Sequence, residues 1–454
     1  MKIIIVGAGE VGFHIASHLT LENKEVVVID RDPAAIRRVS DNLDVQTVEG
    51  SGSSPLVLEE AGILGAEIIL AVTDSDEANL VACLVANILS PATKKLARVR
   101  DADFDKYHDI LRDNPPHIDN IINPEIEVVK TIENMIRVPG VADVAELADG
   151  LIQFVGVYLD KASRLAGIKL VELPEKTGDS RPLIAAIIRD EELIIPRGND
   201  RLMPADLIYF ICAKNKLQEV LAVFQKDDQP ANRVLIIGGG NIGLRLAGRL
   251  EQNDIYCKII EKDSNRCAQL AERLNKTVVL CGDGSDQGLL TEENIQDMDA
   301  VVTLTADEEA NILASLLARR LGARKSITKI SRFSYFPLMN TIGIEQVVSA
   351  RLSAINSILH HIRRGNVLSA ISIKGEKAEI MEALAMETSD IVKKPLKQIS
   401  FPKDALVAGI IRGDQIIIPT GDSIIKPDDR IIIIARRKAI PKIEKILAVK
   451  LEYF

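Results

Sequence analysis

Asp30 and Glu261 are the residues whose placement points most directly to chemistry. Each lies 23 residues after the first glycine of a G-x-G-x-x-G run: Gly7-Ala8-Gly9-Glu10-Val11-Gly12 before Asp30, and Gly238-Gly239-Gly240-Asn241-Ile242-Gly243 before Glu261. The first glycine of such a run allows a tight turn, the second lets a pyrophosphate approach the backbone, and the third lets helix and strand pack closely. An acid about 20 residues further on accepts hydrogen bonds from an adenosine ribose. It favours the free 2′-hydroxyl of NAD(H) over the 2′-phosphate of NADP(H), and the ribose of ATP, ADP or AMP satisfies it equally. An acid at a strand end also serves as a solvated turn residue, and a glycine run without its context is only a turn signal.

The context is present in both places. Lys2-Ile3-Ile4-Ile5-Val6 and Val234-Leu235-Ile236-Ile237 are apolar runs closed by glycine, the pattern of strands buried on both faces of a parallel sheet. A helix from Val11 to about Glu22 follows the first run, and its N-terminal N–H groups and positive dipole end face the turn. Val26–Ile29, Val45–Val48, Glu67–Val72, Leu96–Val99 and Asp119–Ile122 read as further strands, with helices over Pro33–Leu43, Pro55–Ala61 and Glu77–Leu89 between them. Alternation on this scale predicts a doubly wound α/β sheet whose ligand edge carries Gly7, Asp30, Gly50, Thr73 and Arg98.

The fingerprint recurs at a shift of 231 residues, and the match extends beyond it. Glu49-Gly50-Ser51-Gly52 aligns with Cys281-Gly282-Asp283-Gly284, and Thr73-Asp74 through Leu80 with Thr305-Ala306 through Ile312. A smaller strand-rich stretch also repeats. Ile187-Ile188-Arg189 with Pro204-Ala205-Asp206 finds its partner in Ile410-Ile411-Arg412 with Pro427-Asp428-Asp429. Any two nucleotide-type sheets would share the glycines but not this second module, so the chain is an internal duplication. The expected division is two Rossmann-like parallel-sheet domains at 1–125 and 232–350, each followed by a small α+β module, at 140–226 and 366–454. Helical stretches at Ile126–Ile136 and Leu352–Ile362, closed by Pro139 and Gly365, join sheet to module, and Gln225–Pro230 links the halves.

Composition narrows the function. A net charge of −9 argues against general nucleic-acid binding, which rests on phosphate neutralisation, and against adhesion to anionic lipid. No apolar run approaches the ~18 residues a membrane span needs. Glu10, Glu22 and Lys24 interrupt any leader-like apolar segment. The five cysteines, Cys83, Cys212, Cys257, Cys267 and Cys281, never take C-x-x-C spacing, which fits a reducing cytoplasm without a zinc site or disulfide framework.

Other groups carry weaker signals. Arg98 ends the fifth strand, where it can fork onto a pyrophosphate or serve in a surface ion pair. The second half has Lys329 there, and Ala306 in place of Asp74, so the two pockets should differ. His14 and His18 have the i, i+4 spacing of a metal pair but lack a third ligand nearby, and a satisfied surface or pocket-edge pair is the simpler reading. His360-His361-Arg363-Arg364 makes a basic helix end that suits the C-terminal dipole. An NAD-dependent oxidoreductase acting on a small substrate would need an acid/base. The small modules contain no histidine, although a lysine or carboxylate could serve. A redox-sensing DNA-binding repressor would need a helix-turn-helix and a basic face, and neither is found.

The glycine fingerprint, ribose acid, Thr73-Asp74 and Ala97-Arg98-Val99-Arg100 resemble the RCK/KTN domain. The stretch Ile-Pro-x-Gly-(Asn/Asp) followed by Pro-x-Asp-x-Ile resembles the RCK C-terminal domain. Two tandem copies without a pore resemble the TrkA family, the peripheral subunits of Trk-type bacterial potassium uptake systems. The resemblance implies a nucleotide-binding regulator rather than an enzyme. It would assemble as a homotetramer ring on the cytoplasmic face of the inner membrane, without membrane insertion or nucleic acid, and gate an integral membrane potassium-translocating subunit. Family nucleotide contacts fall on Gly7, Ala8, Gly9, Glu10, Val11, Asp30, Thr73, Asp74 and Arg98. In the second half they fall on Gly238, Gly239, Gly240, Asn241, Ile242 and Glu261. NAD(H) is the implied ligand, with ATP or ADP alongside it if the two sites differ.

Overall fold

The computed structural model describes residues 1–104, 106–138, 140–178, 182–226, 229–362, 367–373, 378–413 and 415–448. Pro139, Gly365, the Asp227-Asp228 centre of the linker and Arg363-Arg364 lie outside the described residues.

The first sheet contains β1 (Lys2–Val6), β2 (Glu25–Asp30), β3 (Gln46–Glu49), β4 (Ile68–Ala71), β5 (Lys94–Arg98) and β6 (Asn120–Ile122). Its order is β3-β2-β1-β4-β5-β6, and every pairing is parallel. The crossovers carry α1 (Glu10–Leu21), α2 (Pro33–Asn42), α3 (Pro55–Glu60), α4 (Asp76–Leu89) and α5 (His108–Asp113). The apolar runs at β1 and β4 are buried on both faces by these helices, whereas β3, at the edge, is half exposed. The sequence reading had no helix at α5.

The chain continues through α6 (Pro124–Arg137) into a module of β7 (Asp143–Leu147), β8 (Ile152–Tyr158), α7 (Leu173–Thr177), β9 (Leu183–Arg189), β10 (Glu192–Ile194), β11 (Leu207–Ala213) and α8 (Leu217–Val223). Its strands are antiparallel in the order β10-β9-β11-β8-β7. The second parallel sheet comprises β12 (Arg233–Ile237), β13 (Tyr256–Glu261), β14 (Val278–Cys281), β15 (Ala300–Thr303), β16 (Lys325–Lys329) and β17 (Gln346–Val348). The order β14-β13-β12-β15-β16-β17 repeats the first sheet. Its helices are α9 (Asn241–Gln252), α10 (Ser264–Arg273), α11 (Gln287–Glu292), α12 (Glu308–Arg320), α13 (Phe336–Thr341) and α14 (Ala350–Ile362). The last module has β18 (Val367–Ile373), β19 (Ala378–Leu384), β20 (Ala405–Arg412), β21 (Gln415–Ile417), β22 (Arg430–Arg436) and α15 (Ile440–Leu447), with strand order β18-β19-β22-β20-β21.

The compact units do not follow chain order. One contains Met1–Pro124, Arg351–Ile371 and Arg437–Lys445, and the other Glu125–Ala350 and Ser372–Arg436 with the residues from Ile446. Within the second unit, Val128, Ile132 and Met135 of α6 share a core with Val234, Ile236 and Leu246 of the second sheet domain. Lys325 Nζ donates to the Met135 carbonyl at 2.9 Å, a cation on the last turn of α6, where the helix dipole is negative. Within the first unit, Lys94 Nζ donates to the His361 carbonyl at 3.0 Å near the end of α14. Each crossover helix therefore belongs to the compact unit of the other half's parallel sheet.

The repeated motif of the small modules also has a physical basis. Arg189 forks onto Asp206 through Nε and Nη2 at 2.8 and 2.7 Å, and Asp206 accepts the Met203 N–H at 2.7 Å. Arg412 forks onto Asp429 at 2.8 and 2.6 Å, and Asp429 accepts the Lys426 N–H at 2.8 Å. Asp206 is 1% exposed and Asp429 2%. Removing the arginine strands a buried carboxylate, so Arg189→Leu should cost about 3 kcal/mol in urea unfolding, and Arg412→Leu a similar amount. A change below ~1 kcal/mol in either would show that the fork is not what holds the turn.

Candidate functional site

The two glycine turns are built alike. Gly7 follows β1 with φ +111°, and Gly238 follows β12 with φ +109°, a backbone region that suits glycine. A Cβ on Gly12 would come 1.8 Å from the Gly7 carbonyl oxygen, and one on Gly243 2.1 Å from that of Gly238. The third glycine thus sets the close approach of helix to strand. Gly9 and Gly240 cap α1 and α9 with backbone alone, and a Cβ on either meets nothing within 4 Å. The middle of each turn is therefore open to an approaching group, in front of unbonded helix N–H donors.

Asp30 and Glu261 sit where the sequence places them, at the ends of β2 and β13, and they hold the turns. Asp30 Oδ2 accepts the Ala8 N–H at 2.6 Å, and Oδ1 accepts the Asp32 N–H at 2.9 Å. Glu261 Oε2 accepts the Gly239 N–H at 2.7 Å, and Oε1 accepts those of Lys262 and Asp263 at 2.7 and 2.9 Å. A carboxylate has about four lone-pair sites, so each acid retains acceptor capacity for a ribose hydroxyl.

Thr73 and Thr305 abut the turns, because a Cβ on Gly7 would lie 2.9 Å from Thr73 N and one on Gly238 2.8 Å from Thr305 N. Their hydroxyls donate into buried asparagines, Thr73 to Asn79 Oδ1 at 2.7 Å and Thr305 to Asn311 Oδ1 at 2.8 Å. Asn79 Nδ2 also donates to the carbonyls of Thr73 and Arg98 at 3.1 and 2.9 Å, and Asn311 Nδ2 to those of Thr305 and Lys329 at 3.2 and 3.1 Å. One amide therefore ties the end of the fourth strand to the end of the fifth in each copy. The sequence reading passed over these asparagines, although their repetition at matched positions was the available signal. Asp74 and Val11 lie where expected, Asp74 exposed and Val11 buried at the start of α1, with Ile242 its counterpart in α9.

The charges around the two turns differ. In the first, Glu10 pairs with Arg38 Nη1 at 2.5 Å, and Arg351 and His14 lie 3.7 and 3.9 Å from it. The Arg38 hydrogen bond holds the Glu10 carboxyl below its ordinary value, against the burial that would raise it. Arg38 also donates to the Ala8 carbonyl at 3.1 Å. In the second turn Asn241 replaces the acid. Arg266, from a different position on α10, donates to the equivalent Gly239 carbonyl at 2.8 Å. The ion pair there joins Arg245 of α9 to Glu125 of α6 at 3.8 Å, with the acid and base exchanged between helices relative to Glu10–Arg351. Lys329 Nζ lies 3.4 Å from the Leu304 carbonyl, and burial pushes its ammonium below the ordinary lysine value.

His14 and His18 do not form a pair. His18 is wholly buried against Arg437, whereas His14 faces Glu10. The surface-pair reading is therefore corrected, because α15 and the residues before it pack on α1, with Lys24 bonded to Glu444 at 3.0 Å. No group of three or more His, Cys, Asp or Glu side chains placed to hold a metal ion occurs among the described residues. None of the described helices is long and apolar enough to cross a membrane.

The fold and the paired turns define a duplicated nucleotide-type Rossmann protein with a trailing antiparallel module in each half. The TrkA-N domain family matches residues 3–124 and 234–350, and the TrkA-C domain family matches 154–225 and 380–448. The Trk system potassium uptake protein TrkA of Halomonas elongata is 36% identical over 458 residues, covering 100% of both chains. The Methanosarcina mazei homolog 1 is 36% identical over 452 residues, covering 98% of this chain and 99% of that one. The chain belongs to the TrkA family. The GsuK RCK domain structure shares the fold, with a TM-score of 0.60 at 18% identity over 98% of this chain and 94% of that one. The NAD-bound GsuK channel has a TM-score of 0.60 at 19% identity, covering 98% of this chain and 78% of that one.

Two outcomes test the geometry. Asn79→Ala leaves two carbonyls and an N–H without their partner and should cost about 2 kcal/mol in urea unfolding, as should Asn311→Ala. A neutral result would mean that water replaces the clasp. Because the Glu10 value is lowered on folding, its contribution is full above the ordinary value of 4.5 and is lost as pH falls through the lowered one. The stability difference between the native chain and Glu10→Gln should therefore shrink as the medium is acidified below that point. A difference that is flat with pH would remove Glu10 from the account.

Proposed function

We propose that the chain is the nucleotide-sensing regulatory subunit of a potassium uptake system and catalyses no reaction of its own. It binds NAD(H), with ATP or ADP as alternative ligands, at Gly7–Val11, Asp30, Thr73, Asp74 and Arg98. A second, unequal site uses Gly238–Ile242 and Glu261. The carrying observation is the doubled arrangement of an open glycine turn, an uncapped helix start and a tethered acid. Full-length relatives named for Trk potassium uptake supply the physiological setting. The acid favours a ribose with a free 2′-hydroxyl.

The subunit acts as a homotetramer ring on the cytoplasmic face of the membrane, bound to an integral Trk-type translocating subunit. Its working parts are 1–125, 140–226, 232–350 and 366–454. A ligand shifts the gate only by its difference in affinity for two ring shapes, about 1–3 kcal/mol per coupled site.

The test is potassium flux through the reconstituted complex, titrated with NAD, NADH, ATP and ADP. Flux should respond to at least one of them without turnover at the nicotinamide absorbance band. Asp30→Ala should weaken binding at the first site about tenfold or more, the loss of a charge-assisted pair. Flux indifferent to all four nucleotides would sink the regulatory reading, and hydride transfer to a small substrate would replace it with the oxidoreductase.

A further inference from the structure

Cys267 and Cys281 meet at Glu261, the acid of the second turn. Cys267 lies in the first turns of α10, and its Sγ is 3.3 Å from the Glu261 carbonyl oxygen. Cys281 ends β14 and is the register partner of Glu261 on the neighbouring parallel strand. Both thiols therefore flank one residue, and the neighbouring Cys281 adds to burial in raising the Cys267 thiol. Their exposure differs in a useful way. Cys281 is exposed, whereas Cys83, Cys212, Cys257 and Cys267 are buried. The first copy has Ile36 and Glu49 at these two places, so the pair distinguishes the second site from the first.

We propose that Cys281 and Cys267 form an oxidisable dithiol at the second nucleotide site, and that disulfide closure and nucleotide occupancy at Glu261 oppose each other. The coupling to nucleotide rests on the binding role proposed above for Glu261, but the disulfide itself does not. The oxidant is a peroxide. The Cys281 sulfur takes one oxygen from hydrogen peroxide, the O–O bond breaks, and water leaves, giving a sulfenic acid. The Cys267 sulfur then attacks that sulfur. The S–S bond forms, the S–O bond breaks, and the departing hydroxide takes the Cys267 proton as a second water. Two thiols are oxidised by two electrons and one peroxide is reduced to two waters. The roles follow from exposure, since the reagent reaches Cys281 first. Burial holds the Cys267 thiol up at about 11, which suits a resolving partner that reacts only with a sulfur already beside it.

Closure would pull Cys267 away from the Glu261 carbonyl and staple α10 to β14. Arg266, the preceding residue, holds the Gly239 carbonyl of the turn, so the strain would reach the nucleotide loop. By linkage, a nucleotide seated over Glu261 must shift the dithiol–disulfide equilibrium toward the dithiol if the disulfide weakens its binding.

The test uses the full-length chain and a few equivalents of hydrogen peroxide, followed by unfolding, alkylation and peptide mass mapping. The expected product is a peptide linking Cys267 to Cys281, with the other three cysteines alkylated. Cys267→Ser should leave a sulfenic acid on Cys281 that dimedone captures, and Cys281→Ser should leave the chain unreactive at the same dose. Full alkylation after peroxide, or Cys281 oxidised further while Cys267 remains free, would overturn the pair. In a thiol–disulfide redox buffer, saturating NAD or ADP should lower the equilibrium ratio of disulfide to dithiol at least severalfold in the native chain and in Asp30→Ala, but not in Glu261→Ala. If calorimetry shows nucleotide at the second site and that ratio is unchanged, the coupling is overturned. If no nucleotide binds there, the binding role of Glu261 fails, while the mapped disulfide still upholds the dithiol.

Discussion

A carboxylate at the end of the second strand bonded to an amide of the glycine turn after the first is the contact on which each sheet edge depends. Asp30 reaches Ala8 and Glu261 reaches Gly239, each with one oxygen on the turn and the other on the backbone just beyond its own strand. The turn would otherwise be a short loop with φ > 0 at its entrance and no side chain to pin it. With the acid in place, the helix N-terminus that follows is aimed without a side-chain cap. The acid proposed to recognise a ribose thus also shapes the turn proposed to cradle its phosphates. Loss of the acid would therefore disturb two parts of a ligand at once.

Around that shared contact the two copies use different charges. An acid on the first glycine helix faces an arginine on the crossover helix, whereas in the second copy the arginine is on the glycine helix and the acid on the crossover helix. Arg38 and Arg266 reach the same turn carbonyl from different positions of equivalent helices. The backbone demand is conserved between copies, namely a donor for a turn carbonyl, and the side chain that meets it is not. Two turns with one backbone geometry and different local fields fit the unequal sites proposed above.

Much of this was legible in the sequence. The apolar runs, the glycines and the 23-residue offset come from steric and burial requirements that leave little choice of residue, so strands, turn and acid could all be read. The position of α5 could not, because a single helical turn or two between polar loops leaves no sustained periodicity. Asn79 and Asn311 were hidden for another reason. Asparagine is ordinary on a helix surface, and only burial at 0% exposure shows that it ties two strand ends together. His18 was misread because its neighbour Arg437 is more than 400 residues away, a contact that local spacing does not encode. The exchange of α6 and α14 between compact units has the same origin, since amphipathic helices show that they pack but not on which sheet.

That exchange has an evolutionary consequence. Each parallel sheet is completed by a helix encoded in the other half, with Lys325 and Lys94 on the two borrowed helix ends. This is the connectivity of a swapped dimer whose subunits have been fused head to tail. Either half cut away alone would take with it the crossover helix that belongs to the compact unit of the other half's sheet. The duplicates can therefore diverge in the charges around their turns, as Glu10 and Asn241 have, without becoming separate folding units.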